Sequence, residues 1–418
     1  MKDLTRLVQL VRLWKTLALS TAAFCIAGMA SAQITVPGAN GSDGVLNITT
    51  NMVIDLSQAQ TAAWDTSPAT AGTGVYDSNQ WAVVFKYLSV NIATNATLTF
   101  ANHPSRAPVV WLVSGNVTID GTLSLDGQVY APVPLLAEPG PGGFRGGTGN
   151  FAVGARGASG FGPGGGLFES SIGRGGKYDY GNPSLIPLIG GSGGAGDAQF
   201  DANGGGGGGG ACLIAATGSV TINGALTCNG GAGRNQSSRN SGGGSGGGCR
   251  IVANAIGGSG SVSALGGFGW ETGGPGKIRL ERVADSSSFA SIIPPPSVVP
   301  LQANDQALLW PPASAPEVTV LSVDQVAVPA DPRATFDAQG SDVVLPLTNA
   351  VRVVVQTINV EQASEVSVRN TPRINANART VNATVDQVVN QAPLTIRWVA
   401  DVPVEPGYSA IQVRVVRP

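Results

Sequence analysis

Short runs of alternating apolar and polar residues recur in the first part of the chain. Within Val109–Gly127, positions such as Val117 and Ile119 alternate with polar residues, so one side of the ribbon is apolar. A copy without gaps, Cys212–Gly230, follows at an offset of 103 residues, and a looser copy begins at Cys249. Units too small to bury a face alone stack on one another. The pattern therefore predicts stacked β-strands.

Turn dipeptides lie at the same point of each copy. Asp120-Gly121 in the first copy corresponds to Asn223-Gly224 in the second. Two-residue corners suit a parallel β-helix, in which each turn of chain lies over the previous one, and they also suit a hairpin. Because the unit recurs, the sequence favours the β-helix. The exchange of Asp for Asn is typical of turn residues, and acid–base chemistry would not tolerate it.

Glycine is concentrated in the middle of the chain, where 49 of the 60 glycines fall within residues 140–276. The longest run, 204–210, ends just before the repeat that begins at Cys212, and the run that ends at Gly248 precedes Cys249. A flexible linker has no reason to keep phase with a β repeat. The phase favours ordered, extended polyglycine segments that approach closely for want of side chains. Disordered loops remain the alternative.

The composition changes after about residue 290. Prolines at 294–296 and 311–312 mark a stiff linker, and from Pro316 onward glycine almost vanishes and short alternating strands follow one another. That spacing is typical of an antiparallel β-sandwich. We therefore predict an all-β chain with these parts: residues 1–32 as signal peptide, 33–290 as glycine-rich parallel β-helix, 291–315 as linker and 316–418 as sandwich.

The first 32 residues read as a secretory leader. Four basic residues precede an apolar stretch and the cleavage sequence Ala30-Ser31-Ala32. Removing the leader takes away these four basic residues and one acid, which changes the net charge from −2 to −5. Only 12% of the residues are charged, which argues against a nucleic-acid partner. We expect no membrane segment in the mature chain, and secretion, surface display or periplasmic export in a bacterium.

Three cysteines remain after removal of the leader. Cys212 and Cys249 occupy equivalent positions of the repeat, and stacked parallel strands would place them roughly 4.8 Å apart, within disulfide range. A disulfide between them and a ladder of small buried thiols are the two interpretations. Neither these residues nor Cys228 forms a C-x-x-C motif, so no metal site is predicted.

The repeat copies and the glycine runs resemble those of secreted bacterial proteins of the right-handed parallel β-helix class. That class includes pectin-lyase-like enzymes and adhesin-type surface proteins. Pro406-Gly407-Tyr408 before the last strand resembles immunoglobulin-like and fibronectin-type modules. Resemblance to polygalacturonases would imply paired aspartates, Gly-His-Gly and Arg-x-Lys, and these are absent from the sequence. His103 is the only histidine, so a Ser-His-Asp site would have to use it.

The insertion 129–203 carries most of the unusual side chains, and insertions in repeat proteins tend to form the functional face. From residue type we predict that Arg145, Tyr178, Tyr180 and Trp270 bind an extracellular polysaccharide or another cell-surface component. We assign no catalytic residue, metal or cofactor, and the oligomeric state stays open. The favoured function is an exported structural or binding protein, such as an adhesin.

The alternative function is a polysaccharide lyase or glycoside hydrolase with its site in the same insertion. This alternative predicts that acids converge in one groove, within about 5–10 Å of each other. The acids available for such a site are Glu169, Asp179, Asp197, Asp201 and Glu271.

Overall fold

Strands dominate the computed structural model. It describes residues 33–65, 72–132, 134–150, 157–169, 172–197, 203–236, 239–329, 341–346, 348–372 and 378–418. Over these residues the chain forms 29 strands and one short 3-10 turn, Leu56–Gln58, and no α-helix. The all-β prediction is confirmed. The predicted leader, 1–32, lies outside the described residues.

The first 21 strands run from Val45 to Pro300. They are β1 (Val45–Ile48), β2 (Met52–Asp55), β3 (Gln60–Thr61), β4 (Val75–Asp77), β5 (Ala82–Tyr87), β6 (Ser89–Ile92), β7 (Thr97–Ala101), β8 (Val109–Val113), β9 (Val117–Ile119), β10 (Thr122–Ser124), β11 (Phe168–Glu169), β12 (Ile172–Gly173), β13 (Ala211–Ile222), β14 (Ala225–Thr227), β15 (Asn235–Gln236), β16 (Arg239–Asn240), β17 (Gly248–Gly258), β18 (Ser261–Ser263), β19 (Lys277–Ser287), β20 (Ser291–Ile293) and β21 (Ser297–Pro300). β11–β12 and β15–β16 are two small antiparallel pairs.

Two parallel sheets, which we call the parallel stack, contain most of these strands. An eleven-stranded sheet joins β1, β3–β6, β8, β9, β13, β17, β19 and β21, and a six-stranded sheet joins β2, β7, β10, β14, β18 and β20. Apart from the antiparallel β4–β5 pair, neighbours in both sheets are parallel. Successive copies of the repeat therefore stack as in a solenoid, and the hairpin alternative is wrong for these copies.

The strand register reproduces the sequence repeat. Cys212 pairs with Val109, and Leu226 pairs with Leu123, at the predicted offset of 103 residues. Cys249 pairs with Cys212, as predicted. Further along, the same pair of strands shifts by one residue at an irregularity between Ala216 and Ser219. The irregularity explains why the third copy is the looser one.

Strands at the centre of the parallel stack are buried on both faces. In β8 the inward side chains, including Trp111, pack with the six-stranded sheet in the main core. Its outward side chains Val110 and Leu112 pack under a second cluster that contains Ile34 and Leu309. Burial on both faces explains the unbroken apolar run VVWLV, because parallel strands covered on each side have no solvent-facing positions.

The parallel stack continues beyond the residue at which the sequence placed its end. β20 pairs with β18, and β21 pairs with β19, so strand pairing reaches Pro300, ten residues into the predicted linker. The chain after Pro300 then covers the outer face of the large sheet, where Ala307 and Leu309 are buried. Residues Ile34–Pro418 belong to one compact unit, and the predicted domain boundaries stay predictions.

The C-terminal part forms two antiparallel sheets, which we call the terminal sheets. Their strands are β22 (Glu317–Val323), β23 (Val326–Ala327), β24 (Ala350–Ile358), β25 (Glu365–Pro372), β26 (Arg379–Asn382), β27 (Thr384–Gln391), β28 (Leu394–Pro403) and β29 (Ser409–Val416). One sheet has the order β23-β22-β24-β28-β27, and the other has the order β26-β25-β29. Val353 and Ile396 from the first sheet and Val368 from the second share one buried core. The predicted antiparallel pairing is confirmed.

The glycine-rich segments are ordered and hydrogen-bonded. In the run 204–210, every third N–H donates to the same neighbour: Gly204, Gly207 and Gly210 donate to carbonyls within 125–131. Gly205 and Gly208 donate to 144–147, and Gly206 and Gly209 donate to 242–245. A backbone with three residues per turn, as in polyproline II, sends successive N–H groups in three directions. One segment can therefore bind several neighbours at once.

We call this arrangement the glycine bundle, and it comprises the hydrogen-bonded segments 125–131, 140–147, 190–197, 204–210, 230–233, 241–248 and 265–276. A side chain would not fit inside it. A Cβ added to Gly206 would lie 1.9 Å from the carbonyl oxygen of Gly231, and one added to Gly208 would lie 1.9 Å from that of Gly191. The run of seven glycines is thus required by backbone packing, and disordered loops are the wrong interpretation for these segments.

Candidate functional site

A polar cleft of about 420 Å³ lies beside the glycine bundle. It is lined by residues 164–167, by residues 174, 175, 177 and 179, by one residue of the segment 265–276 and by one residue of β25. Its charged side chains belong to Arg174, Lys177, Asp179, Glu271 and Arg369. Three cations and two acids therefore face one small space that is otherwise walled mainly by glycine.

Close approach of two chain segments builds the floor of the cleft. The Lys177 N–H donates to the Gly164 carbonyl at 2.7 Å, and the Arg174 N–H donates to the Leu167 carbonyl at 2.9 Å. A Cβ on Gly164 would lie 2.3 Å from the carbonyl oxygen of Lys177, and one on Gly166 would lie 2.0 Å from that of Arg174. Glycine is therefore needed here so that the segment with the charged side chains can lie against the floor.

The charges of the cleft are only partly neutralised from within. The Arg174 Nη1 donates to Glu271 Oε2 at 3.3 Å, and both side chains remain partly exposed. Over the described residues, the side chains of Lys177 and Arg369 have no hydrogen-bond or ion-pair partner. Two cations are thus available to an anionic group that enters the cleft.

Arg145, one of the four predicted binding residues, lies within the glycine bundle. Its Nε donates to Glu138 Oε1 at 2.6 Å, and Arg106 Nε donates to the other carboxylate oxygen at 3.1 Å. Burial raises the pKa of Glu138, but the hydrogen bonds and charges of the two arginines outweigh it, so that the pKa is lowered. The Arg145 guanidinium has this anion as its partner inside the fold.

The hydroxyls of the two predicted tyrosines are also hydrogen-bonded inside the fold. The Tyr178 hydroxyl donates to the Ile189 carbonyl, and the Tyr180 hydroxyl donates to the Gly190 carbonyl at 2.6 Å. Their rings are 4.7 Å apart, and burial raises the pKa of both hydroxyls. Trp270 differs, because it is 49% exposed and precedes the cleft residue Glu271. The structure therefore does not bring the four predicted residues together, and their binding role stays a prediction.

Two of the acids considered for catalysis line the cleft. Asp179 and Glu271 share it, whereas Asp197 is fully buried and accepts a hydrogen bond from the Asn203 N–H at 2.8 Å. The side chain of Glu169 and all of Asp201 lie outside the described residues. A pair of carboxylates at one cleft is thus present, with one of the pair held by Arg174.

His103 has a local structural role. Its ring stacks on Tyr76 with centroids 4.1 Å apart, and Nδ1 lies 2.8 Å from the hydroxyl of Ser105. Burial lowers the pKa of His103. Ser105 is only 5% exposed, and its carbonyl accepts the indole N–H of Trp81. The serine hydroxyl beside this histidine is therefore not accessible to a polymer.

The three cysteines lie together in the core of the parallel stack. Cys212, Cys228 and Cys249 are buried and carry free thiols. Cys212 contacts both of the other two sulfur atoms, and contact with Cys212, together with burial, raises the pKa of Cys228. The equivalence of Cys212 and Cys249 is confirmed by their pairing. Their thiols are free in this structure, with Cys228 as the third member of the cluster, and the disulfide between Cys212 and Cys249 stays a prediction.

Arg369 is the cleft residue that sequence reasoning missed. It lies on β25, about 190 residues after Lys177, and reaches the cleft only because the terminal sheets pack beside the insertion. Arg174, Lys177 and Asp179 belong to the insertion 129–203, which the sequence indicates as the functional face, but nothing in the sequence groups them with a residue of the C-terminal part. The charge of Arg369 within a valine-rich strand was the available signal.

Among the described residues, no group of three or more His, Cys, Asp or Glu is placed to hold a metal ion. In the same part of the chain, no helix is long and apolar enough to cross a membrane. Comparison of the chain with protein-family models, with curated proteins and with solved structures finds no match.

Proposed function

We propose that the protein is an exported structural and binding protein whose cleft takes an acidic glycan. The observation that carries the proposal is a pair of cations, Lys177 and Arg369, that face the same glycine-walled space and have no partner among the residues that the structure describes. The chain without its predicted leader is acidic, whereas the cleft is lined by three cations and two acids. A carboxylate or sulfate of a glycan would supply the missing counter-charge.

Other features of the cleft suit a sugar. Small-molecule sites have volumes of roughly 300–1,000 Å³, so a cleft of about 420 Å³ accommodates one or a few sugar units of a longer polymer. Trp270, next to the cleft residue Glu271, offers an exposed indole face against which a sugar ring can pack.

The proposal includes the finer points of fold and location. The parallel stack would be a right-handed β-helix of the pectin-lyase-like and adhesin-type class and would act as a rigid platform. The terminal sheets would be an immunoglobulin-like or fibronectin-type module for attachment or recognition. The stacked repeat and the antiparallel sheets support these assignments. The protein would act at the cell surface, in the periplasm or outside a bacterium, with extracellular polysaccharide as partner.

An enzyme remains the second candidate, because Asp179 and Glu271 line the same cleft. Glycoside hydrolysis uses two carboxyl groups, one to protonate the leaving oxygen and one to activate water or attack the sugar. A lyase would need a base to remove a proton beside a sugar carboxylate. Glu271 is ion-paired with Arg174, which suits a carboxylate that positions the arginine better than one that acts as a catalytic acid or base. The ion pair therefore favours the binding function.

Retention on a polysaccharide panel tests the proposal. The full chain would be passed over immobilised polygalacturonate, alginate and neutral dextran, and retention and reducing-end release would be scored separately. We expect retention on the acidic polymers without release. The double variant Lys177→Ala, Arg369→Ala should lose at least about tenfold in affinity, which corresponds to about 1.4 kcal/mol. Arg379→Ala removes an exposed cation outside the cleft and should bind like the unmodified chain.

Each other outcome has a defined meaning. Equal retention on dextran would contradict the charge argument, and unchanged binding by the double variant would contradict the assignment to the cleft. Release of reducing ends that is abolished by Asp179→Asn would replace the binding function with the enzymatic one. No retention on any acidic polymer would overturn the proposed function.

A further inference from the structure

A large, mainly apolar cavity adjoins the polar cleft, and its lining also includes the acids Asp342 and Glu405. Its volume is about 750 Å³, within the range of roughly 300–1,000 Å³ that is typical of small-molecule sites. Phe144, Phe161 and Ile189 line it on the side of the glycine-rich insertion, and Leu345 and Ile411 line it on the side of the terminal sheets. The cavity thus lies between the two parts of the fold, and large apolar side chains contribute to it from both.

The cavity and the cleft are adjacent and share part of their lining. Gly165 and Arg369 line both spaces, so the boundary between them is formed by a residue without a side chain and by a guanidinium. The walls themselves are held together at this point, because Gln412 Nε2 donates to the Gly162 carbonyl at 2.9 Å. A molecule could therefore extend from the charged space into the apolar one past Arg369.

Arg369 indicates which end of such a molecule lies at the boundary. Its guanidinium has no partner among the described residues, and it is only partly exposed. A cation at the mouth of an apolar cavity is best satisfied by an anion whose remaining part is apolar, since the anion pairs with the guanidinium while the apolar part leaves water. A free sugar would leave the cavity unfilled, and a neutral lipid would leave Arg369 unpaired.

We propose that the cleft and the cavity together form one site for an acidic glycolipid, with the acidic sugar at Arg369 and Lys177 and the hydrocarbon chain in the cavity. The inference rests on the proposed function, because it takes the acidic sugar in the cleft as given. It adds the apolar half of the ligand. The protein would then recognise the lipid-linked end of a surface glycan, where sugar and hydrocarbon meet.

Three matched probes separate the two halves of the proposal. Glucuronic acid carries only the head, decyl glucuronide carries head and chain, and decyl glucoside carries the chain with a neutral head. Binding to the full chain would be measured by calorimetry below the aggregation concentration of each detergent. Because each buried methylene contributes to affinity, decyl glucuronide should bind at least about tenfold more tightly than glucuronic acid. It should also bind at least about tenfold more tightly than decyl glucoside, because only it supplies an anion to Arg369.

Two variants locate the chain and the head. Ala410→Trp places an indole at an exposed position of the cavity wall, and should remove the gain from the decyl chain without affecting glucuronic acid. Thr384→Trp is the control, because Thr384 is exposed on β27 and does not line the cavity. Arg369→Gln should weaken decyl glucuronide about tenfold and leave decyl glucoside unchanged.

The outcomes separate this inference from the proposed function. If glucuronic acid binds but the decyl chain adds nothing, or if its gain persists in Ala410→Trp, the glycolipid site is wrong and the glycan site stands. Equal affinity for decyl glucuronide and decyl glucoside would overturn the role of Arg369. If neither glucuronic acid nor decyl glucuronide binds, both the inference and the proposed function fail.

Discussion

The glycine bundle and the terminal sheets solve the same packing problem in opposite ways. In the bundle, segments such as 204–210 are held by backbone hydrogen bonds in three directions, and there is no room for side chains between them. In the terminal sheets, backbone bonds join the strands within each sheet, and buried residues such as Val353 and Ile396 join one sheet to the other. Packing in the glycine bundle requires that side-chain atoms be absent, whereas packing in the terminal sheets requires large apolar side chains.

This difference teaches that glycine content alone does not indicate flexibility. Glycine loses more backbone entropy on folding than any other residue, so an ordered glycine segment needs a compensating gain. The bundle supplies a hydrogen bond for each N–H of 204–210, all of which are buried. The terminal sheets gain instead from apolar burial. A larger side chain should therefore destabilise the glycine bundle, and a smaller side chain should destabilise the core of the terminal sheets.

The largest effect is expected from one methyl group added to the bundle. In Gly273→Ala the new Cβ would lie 1.9 Å from the Gly244 carbonyl oxygen, so the segments must separate and lose their hydrogen bonds. We expect a loss of more than about 4 kcal/mol in the free energy of unfolding, measured by denaturant titration, or failure to fold.

The adjacent residue provides the control for this substitution. A Cβ on Gly274 would meet nothing closer than 3.5 Å, so Gly274→Ala should change the free energy of unfolding by less than about 1 kcal/mol. Equal stability of the two alanine variants would contradict the packing that we describe for the bundle.

An intermediate effect is expected from removing atoms from the terminal sheets. Ile396 is fully buried in their shared core, and Ile396→Ala leaves a cavity there. We expect a loss of about 2–5 kcal/mol, measured in the same titration. Val389→Ala, at a position 45% exposed on β27, should change stability by less than about 0.5 kcal/mol. If the two substitutions cost the same, the core of the terminal sheets has been assigned wrongly.

The smallest effect is expected from removing the negative charge of Glu138, which bonds two arginines. Glu138 accepts hydrogen bonds from Arg106 and Arg145, so Glu138→Gln should cost about 1–3 kcal/mol. The pKa of Glu138 is lowered in the folded chain from an ordinary value of 4.5. Its stabilisation is therefore complete above pH 4.5 and disappears as the pH falls through the lower, folded pKa.

Thermal unfolding between pH 2 and pH 6 checks this pH dependence. The unmodified chain should lose stability more steeply than Glu138→Gln as the pH falls below 4.5. Asp401→Asn is the control, since its ion pair with Arg352 is mostly exposed and contributes little at any pH. Identical pH profiles of Glu138→Gln and the unmodified chain would exclude this carboxylate as an acid-sensitive contact.

The architecture was predictable where apolar positions repeat. Val117 and Leu123 occur again at a fixed offset as Val220 and Leu226, and the strand register follows that offset. Strand β21 was not predictable in this way, because proline surrounds it and no further copy marks it. Its pairing with β19 depends on an open sheet edge, and the sequence does not display such an edge.

The candidate site was less predictable than the fold. The sequence predicts a binding role for Tyr178 and Tyr180 from residue type alone, whereas in the structure their hydroxyls donate to the Ile189 and Gly190 carbonyls inside the fold. Arg369 and Lys177 meet only through contacts between distant segments. Residue type identifies which side chains can bind, whereas tertiary contacts decide which of them are accessible.

The threefold direction of hydrogen bonds in 204–210 restricts how such a segment can change in length over evolution. Losing one residue would rotate every following N–H by about 120° and point it at the wrong neighbour. Losing three would restore all directions and shorten the segment by one turn. The lengths of the glycine runs in homologous chains should therefore differ by multiples of three residues, because the backbone geometry repeats every three residues.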